Sequence, residues 1–326
     1  MNKYSIAAAG ALVIIAAAAV FGLQNSAGQA VIRVADPRAL GWAPFAIAID
    51  QKYFEAEGLR VKVVPVQTGD ESLKALASGS VDVALAGIIP YSFIAFDSPS
   101  LKIVAQAVYA HDNQVVARRG SGIREPSHLR GKRIGYAKTT ASDIGIKQFL
   151  RNHGISEDEV TLVQLKPLAM PAALASGQID AYSAWEPHIY NGQKLLGQDA
   201  VVFDDAASTY TWHAAVIADE SYVHAHQDEL VRFVRAWKRA EVFMQEHPEQ
   251  ARAVVSRETK IPEETLAAIW PKYGFGIGLP DDLATTLATD LAWANAQRTA
   301  SSTLPLPADR VDRSVWDAYV KASGTR

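Results

Sequence analysis

One pattern of apolar and polar positions occurs twice along the chain. Residues 75–82 read ALASGSVD and residues 173–180 read ALASGQID, so the two segments differ only by Ser/Gln and Val/Ile exchanges. In each segment, helix-type spacing of apolar residues ends at a glycine, which readily adopts the left-handed conformation that closes a helix. An apolar run of strand length follows, and then a loop with a proline, at residues 88–90 and 185–187. This order predicts two similar α/β lobes whose strands end at ligand-facing loops.

The periodicity elsewhere predicts how the two lobes are connected. A first strand is predicted at residues 31–34, and residues 214–218 are predicted to return the chain to the first lobe. Beyond them the pattern is mainly helical, with an apolar stripe from Leu230 to Met244. The predicted fold is α/β, with each lobe a mixed sheet flanked by helices and a two-strand hinge between the lobes. The predicted domains are residues 31–115 with 216–326 for the first lobe, and residues 116–215 for the second.

The first thirty residues have a different composition. Lys3 is their only charged residue, Ile6 to Leu23 is apolar, and small residues continue to Ala30. This layout predicts a cleavable signal peptide over residues 1–30, with an uncleaved membrane anchor as the alternative. The sequence has no cysteine, which excludes lipoprotein attachment, disulfides and thiol catalysis. We therefore expect a protein exported to the periplasm.

Length, charge and motifs narrow the possible functions. A chain of 326 residues suits two domains, and its net charge of −3 favours neither a nucleic-acid partner nor a membrane-surface face. The sequence has no G-x-S-x-G, Walker, H-E-x-x-H or G-x-G-x-x-G motif, so no catalytic residue and no cofactor are predicted. His224 and His226 could suggest zinc, but a His-x-His pair points its imidazoles apart and no carboxylate has ligand spacing. No metal site is predicted.

A cluster of hydroxyl residues marks one candidate ligand site. Residues 139–143 read TTASD, directly after a predicted strand and before an apolar helix. These residues could simply cap the helix. Their hydroxyls and the free backbone N–H groups could also hold an anion at the positive end of the helix. The preceding strand and the equivalent loop at residues 87–90 favour the anion site.

Aromatic residues in loops form the second part of the candidate site. Trp42, Trp185 and Trp212 follow predicted strands, where they could stack on a ligand. Glu186 has two interpretations, as a charge at a helix start or as a partner for a ligand N–H group. The candidate ligand-binding residues are Trp42, Phe45, Gly87, Ile88, Pro90, Tyr91, Thr139, Thr140, Ala141, Ser142, Trp185, Glu186, Trp212 and His213.

Several segments together resemble the nitrate/sulfonate/taurine family of ABC-transporter solute-binding proteins. The segments are residues 54–59, 75–82 and 87–90 in the first lobe, and residues 121–134, 139–143 and 173–187 in the second. The resemblance covers residues 31 to about 250. It implies a type II periplasmic binding protein, which captures a small solute between two lobes and presents it to the permease and ATPase subunits of an importer.

The resemblance also implies where the ligand lies. The head group is expected at residues 140–142, at Trp185 and Glu186, and at the first-lobe residues Trp42 and 87–90. Many family members have Gly-Ser or Gly-Thr where this chain has two threonines, which leaves the ligand class open.

The aromatic residues favour an alkyl or aromatic sulfonate or carboxylate over nitrate, with a thiamine-precursor pyrimidine as the alternative. Two other classes of function are less well supported by the sequence. Pyrimidine-synthesising enzymes of the same fold depend on a cysteine-containing motif that this chain lacks. A sensor would usually carry an attached DNA-binding or signalling domain, and the sequence pattern indicates none.

Overall fold

The computed structural model describes residues 29–204, 211–298 and 305–324. Residues 1–28, nearly all of the predicted signal peptide, lie outside the described residues. Within the three described ranges, no helix is both long enough and apolar enough to cross a membrane.

The described residues contain eleven strands and thirteen α-helices. The strands are β1 (Ala30–Asp36), β2 (Leu59–Pro65), β3 (Val83–Gly87), β4 (Leu101–Ala110), β5 (Gln114–Arg118), β6 (Arg133–Tyr136), β7 (Thr161–Gln164), β8 (Ala181–Ala184), β9 (Ala200–Phe203), β10 (Trp212–Asp219) and β11 (Tyr273–Gly278). The helices up to β9 are α1 (Ala43–Asp50), α2 (Tyr53–Ala56), α3 (Gly69–Ala77), α4 (Ile88–Ile94), α5 (Ala141–Asn152), α6 (Met170–Ala175) and α7 (His188–Leu196). The later helices are α8 (Glu220–Ala225), α9 (Gln227–Glu246), α10 (Pro248–Thr259), α11 (Glu263–Ile269), α12 (Leu283–Ala296) and α13 (Ser314–Ser323).

The strands form two mixed sheets. The six-stranded sheet has the order β11-β4-β10-β3-β1-β2, and the five-stranded sheet has the order β7-β6-β8-β5-β9. In the first sheet β1 is parallel to β2 and β3, whereas β10 is antiparallel to β3 and β4. In the second sheet β6 is parallel to β7 and β8, whereas β5 is antiparallel to β8 and β9. The predicted fold class, two mixed sheets flanked by helices, is therefore confirmed.

The chain passes between the sheets twice. It leaves β4 of the first sheet and enters β5 of the second through residues 111–113, and it returns from β9 to β10. We call the six-stranded sheet with its helices the first lobe, and the five-stranded sheet with its helices the second lobe. Strands β5 and β10 begin at Gln114 and Trp212. The predicted domain boundaries after residues 115 and 215 stay a prediction.

Phe45 belongs to the core of the first lobe. The residue is 1% exposed, and its ring centroid lies 5.6 Å from that of Phe54 and 5.9 Å from that of Trp237. Phe233 of α9 completes this aromatic cluster. Because Phe45 is on the face of α1 that packs against α9, its side chain does not reach a ligand cleft, and its predicted role as a ligand contact is corrected.

Residues 88–94 form helix α4 where the sequence predicts a loop. Gly87 has the extended conformation of an N-cap, with φ −67° and ψ 154°. Pro90 lies in the first turn, where backbone N–H groups have no helical acceptor, so its missing N–H removes no helical hydrogen bond. Ile88 and Tyr91 are fully buried as a result.

Strand β11 lies where the sequence predicts only helices and links. Glycines at positions 274, 276 and 278 weaken the strand pattern, because they supply no side chain that packs on the sheet. The structure explains Gly274: a Cβ there would lie 2.1 Å from Cζ of Tyr109 on β4. Glycine therefore allows β11 to approach β4 closely, and β11 carries Tyr273 into the cleft described below.

Candidate ligand-binding cleft

A cleft of about 560 Å³ lies between the two lobes. Residues of both sheets line it, mostly in the segments that follow strand ends, as expected for α/β folds. The volume suits a small organic molecule. The structure brings together nine of the predicted site residues around it: Trp42, Gly87, Pro90, Thr139, Thr140, Ala141, Trp185, Glu186 and Trp212.

The other five predicted residues do not line the cleft. Phe45 and Ile88 are buried in the first lobe, and the hydroxyl of Tyr91 donates to the backbone oxygen of Leu101 at 2.7 Å. Nδ1 of His213 lies 3.0 Å from Oε1 of Gln106, and burial lowers the pKa of this imidazole. Ser142 is also buried and is considered next.

Ser142 fixes the start of helix α5 rather than facing the cleft. Its Oγ donates to the backbone oxygen of Ser183 at 2.6 Å and accepts from the backbone N–H of Ala137 at 3.0 Å. Ser183 Oγ in turn donates to Oδ1 of Asn113, in the segment that joins the lobes. The hydroxyl of Ser142 is thus engaged inside the second lobe, so its predicted role as a donor to an anion is corrected to a structural one.

The first turn of α5 presents backbone N–H groups to the cleft. Thr140 is the N-cap; its Oγ1 accepts from the Ser142 N–H at 3.2 Å and donates to the oxygen of Ala137 at 2.7 Å. Among the described residues, no protein atom accepts a hydrogen bond from the backbone N–H of Thr140 or Ala141. Orphan N–H groups and the positive end of the helix favour an anion here.

Helix α3 of the first lobe presents an equivalent turn from the opposite side. Thr68 is its N-cap and accepts from the Glu71 N–H, and residues 67–70 line the cleft. The first turn of α3 also carries two carboxylates: Asp70 forms an exposed ion pair with Lys74 at 2.6 Å, and Glu71 accepts from the backbone N–H of Gln67 at 2.8 Å. The sequence indicates this helix start, but we did not predict it as part of the ligand site. The signal was its position in the repeat: residues 67–70 precede the first copy as residues 165–168 precede the second, and both segments contribute residues that line the cleft.

Trp212 is held against the backbone of the first lobe by two glycines. A Cβ at Gly41 would lie 2.8 Å from the Trp212 ring, and a Cβ at Gly87 would lie 2.7 Å from its Nε1. Trp42 meets the same ring edge-on, with centroids 6.0 Å apart. Trp185 is half-buried on the second-lobe side, so indole rings from both lobes border the cleft.

A cluster of mostly buried polar residues borders the cleft. The hydroxyl of Tyr273 lies 2.5 Å from Oδ2 of Asp112, and Nζ of Lys272 lies 2.5 Å from Oε1 of Glu186 and 3.1 Å from Oε1 of Gln114. Burial raises the pKa of the Asp112 carboxyl to about 6, an effect that the Tyr273 hydrogen bond partly offsets. Asp112, Lys272 and Tyr273 were missing from the predicted site.

Two lysines also reach the cleft from the second lobe. Lys138 and Lys166 follow the neighbouring parallel strands β6 and β7, whose last pair is Tyr136 with Gln164, and both residues line the cleft. They supply positive charge near the start of α5. Neither lysine could be predicted from the sequence, because isolated lysines in loops are usually solvated surface residues.

Fold and site together define a class of protein: two α/β lobes, joined by two crossings of the chain, that enclose a cleft for a small molecule. Residues 40–251, about two thirds of the chain, match the model of the NMT1/THI5-like family, and the chain belongs to this family.

Relatives and solved structures agree with the resemblance predicted from sequence, which is confirmed. A putative aliphatic sulfonates-binding protein of Bacillus subtilis is 26% identical over 216 residues, covering 64% of each chain. This chain thus matches slightly less than two thirds of that relative's length. A formylaminopyrimidine-binding protein of Halalkalibacterium halodurans is 27% identical over 65% of this chain and 67% of its own. The crystal structure of the periplasmic aliphatic sulphonate binding protein SsuA from Escherichia coli superposes with a TM-score of 0.76, at 19% identity, over 86% of this chain and 97% of that chain.

Proposed function

We propose that this chain is the solute-binding component of an ABC importer and that it captures a small organic anion between its lobes. The main observation in support of this proposal is that two helix N-termini, one from each lobe, line the same cleft. The first turns of α3 and α5 both line it. Helix starts stabilise negative charge without a full countercharge, because their N–H groups point at the ligand.

The walls of the cleft favour a ligand with an apolar or flat body. Trp185 and Trp212 supply partly exposed indole surfaces, Trp42 is only 3% exposed and packs behind Trp212, and Lys138 and Lys166 add positive charge. An alkyl or aromatic sulfonate or carboxylate combines the two properties. The names of the B. subtilis and E. coli relatives, both aliphatic sulfonate-binding, support this class.

The same reasoning supports the location and partners that we propose. A binding component works in the periplasm and delivers its ligand to membrane permease and ATPase subunits, without converting it. The relatives named above are binding proteins, and the E. coli structure is of a periplasmic one. Lobe closure around the ligand would present one defined surface to the permease.

A pyrimidine ligand is the second candidate. The H. halodurans relative is named for a formylaminopyrimidine, and Glu186, a residue of the cleft lining, carries a carboxylate that could accept from a ring N–H if the side chain became exposed. Its pairing with Lys272 at 2.5 Å makes this carboxylate less available, so we favour the anion.

Calorimetric titration tests the proposal. Ethanesulfonate, benzenesulfonate and benzoate would be compared with the neutral analogues benzenesulfonamide and benzamide, and with a formylaminopyrimidine. We expect at least one acid to bind and its amide to bind at least tenfold more weakly, because the helix starts interact with charge. Mass spectrometry after long incubation should return the bound acid unchanged. Equal binding of acid and amide, or conversion of the ligand, would contradict the proposal.

Replacing Trp185 by alanine is expected to weaken binding of the tightest acid by about 1–3 kcal/mol, or roughly 5- to 150-fold in Kd. The reason is the loss of an indole surface that borders the ligand. Trp316→Ala is the matched control, because Trp316 packs on Tyr319 and does not line the cleft. Unchanged affinity in a folded Trp185→Ala protein would assign Trp185 a structural role only.

A further inference from the structure

Lys272 connects the first lobe to the segment that joins the lobes. It directly precedes β11, and its backbone oxygen accepts from the N–H of His111 at 3.2 Å. Its Nζ donates to Oε1 of Gln114 at 3.1 Å, at the beginning of β5. These contacts hold the lysine beside the segment that joins the lobes, from which its ammonium group reaches the second lobe.

The acceptor on the second lobe is Glu186. Its side chain is only 1% exposed and lies 2.5 Å from Nζ of Lys272. The other carboxylate oxygen accepts from the backbone N–H of Tyr190 at 2.9 Å, in the first turn of α7. One carboxylate therefore joins a first-lobe lysine to a second-lobe helix. The neighbouring residue is Trp185, which borders the cleft.

We propose that Lys272 is a positioning residue for ligand binding, which holds Glu186 from the opposite lobe and keeps the Trp185 segment closed over the cleft. Its effect on the ligand rests on the proposed function. Its effect on the arrangement of the lobes does not depend on which ligand is bound.

The charge of Glu186 determines how the loss of Lys272 would change the arrangement of the lobes. Without Lys272, the carboxylate of Glu186 would stay buried with the Tyr190 N–H as a partner but without a countercharge, which strongly disfavours the closed arrangement. Opening of the cleft would hydrate the carboxylate and relieve this penalty. Loss of the lysine therefore shifts the lobes toward the open arrangement and shortens the residence time of the ligand.

The chain offers a matched control pair. Lys194 of α7 and Glu264 of α11 also join the second lobe to first-lobe helices, with the same residue types and the same separation of 2.5 Å. Their side chains are 61% and 66% exposed, so water can replace the interaction when it is broken. Lys194→Met should change neither the lobes nor the ligand kinetics.

Distances between the lobes test the proposal without any ligand. Since the chain has no cysteine, spin labels can be placed at Ala77→Cys of α3 and Ala175→Cys of α6, which are both exposed. We expect Lys272→Met to shift the distance distribution toward longer values, and Lys194→Met to leave it unchanged. Lys272→Arg should restore the shorter distances, and so should the double variant Lys272→Met/Glu186→Gln, which removes both charges. An unshifted distribution in folded Lys272→Met would overturn the proposal, as would an equal shift in Lys194→Met.

Stopped-flow tryptophan fluorescence with ethanesulfonate supplies the kinetic test. Lys272→Met should raise koff about tenfold with little change in kon, because removing one partner of a buried charge pair acts mainly on dissociation. Unfolding midpoints would confirm that the variant is folded, and Lys272→Gln provides a second variant. A change confined to kon would contradict a positioning role. If ethanesulfonate does not bind, the same measurement uses benzenesulfonate or benzoate; if none of the three acids binds the wild-type protein, the ligand class is wrong, and the spin-label distances still decide the role of Lys272.

Discussion

Phe45→Ala is expected to lower the free energy of unfolding by about 3–5 kcal/mol, because it leaves a large cavity in a packed core. The ring lies among Phe54, Phe233 and Trp237, and only 1% of the residue is exposed. Urea unfolding followed by circular dichroism measures the loss. Ligand affinity of the folded fraction should stay close to that of the wild type, because Phe45 does not line the cleft.

Phe243→Ala provides the comparison for this prediction. Phe243 lies on α9, but it is only partly buried and its ring centroid lies 4.9 Å from that of His247, so its removal should destabilise the protein less. A Phe45→Ala protein of wild-type stability that fails to bind ligand would return Phe45 to the ligand site and contradict the packing argument.

Asp112→Asn is expected to change stability in a pH-dependent manner, by up to about 3 kcal/mol between pH 4 and pH 7.5. Burial raises the pKa of Asp112 to about 6, above the value of about 3.9 for an exposed aspartate. The folded state therefore binds this proton more tightly than the unfolded state. The folding free energy that the bound proton contributes is lost as pH rises from the unfolded-state pKa of about 3.9 through the folded-state pKa of about 6. Asparagine has no proton to lose in this range, so the variant keeps its stability.

The stability of Asp112→Asn relative to wild type should consequently increase from pH 4 to pH 7.5. Asp180→Asn should show the opposite trend. Burial favours the neutral form of Asp180, but hydrogen bonds from Arg133 outweigh this and hold the pKa of the carboxyl below its usual value. Denaturant unfolding of the wild type and both variants at several pH values measures the trends. A pH-independent difference for Asp112→Asn would mean that the buried carboxyl titrates normally.

The repeated segment predicted the main features of the fold correctly. In both copies a helix ends, a glycine with positive φ follows (Gly79 or Gly177), and a strand begins. The hydroxyl cluster at residues 139–143 is at a helix start that faces the cleft. These features depend on local periodicity and on capping residues, and both can be identified from the order of residues in the sequence.

The remaining features depend on tertiary contacts. Whether an aromatic residue faces a ligand or the core depends on what packs against it. The sequence favours Trp42 over Phe45 for stacking on a ligand, but both residues are almost fully buried, and only Trp42 lines the cleft. Ser142 has the residue type of a ligand donor, yet its partner Ser183 is 41 residues away in the sequence. Tyr273 lines the cleft at the start of β11, and Lys272 directly precedes this strand, whose glycines weaken the strand pattern in the sequence.

A crystal structure of the complex with the tightest-binding acid would show whether the start of α5 holds the acidic group of the ligand. We expect acidic oxygens within about 2.7–3.2 Å of the backbone nitrogens of Thr140 and Ala141, with the ligand body beside Trp185. A ligand bound outside the cleft would contradict this expectation. So would a ligand in the cleft whose head group contacts Glu186 and leaves both backbone N–H groups without an acceptor.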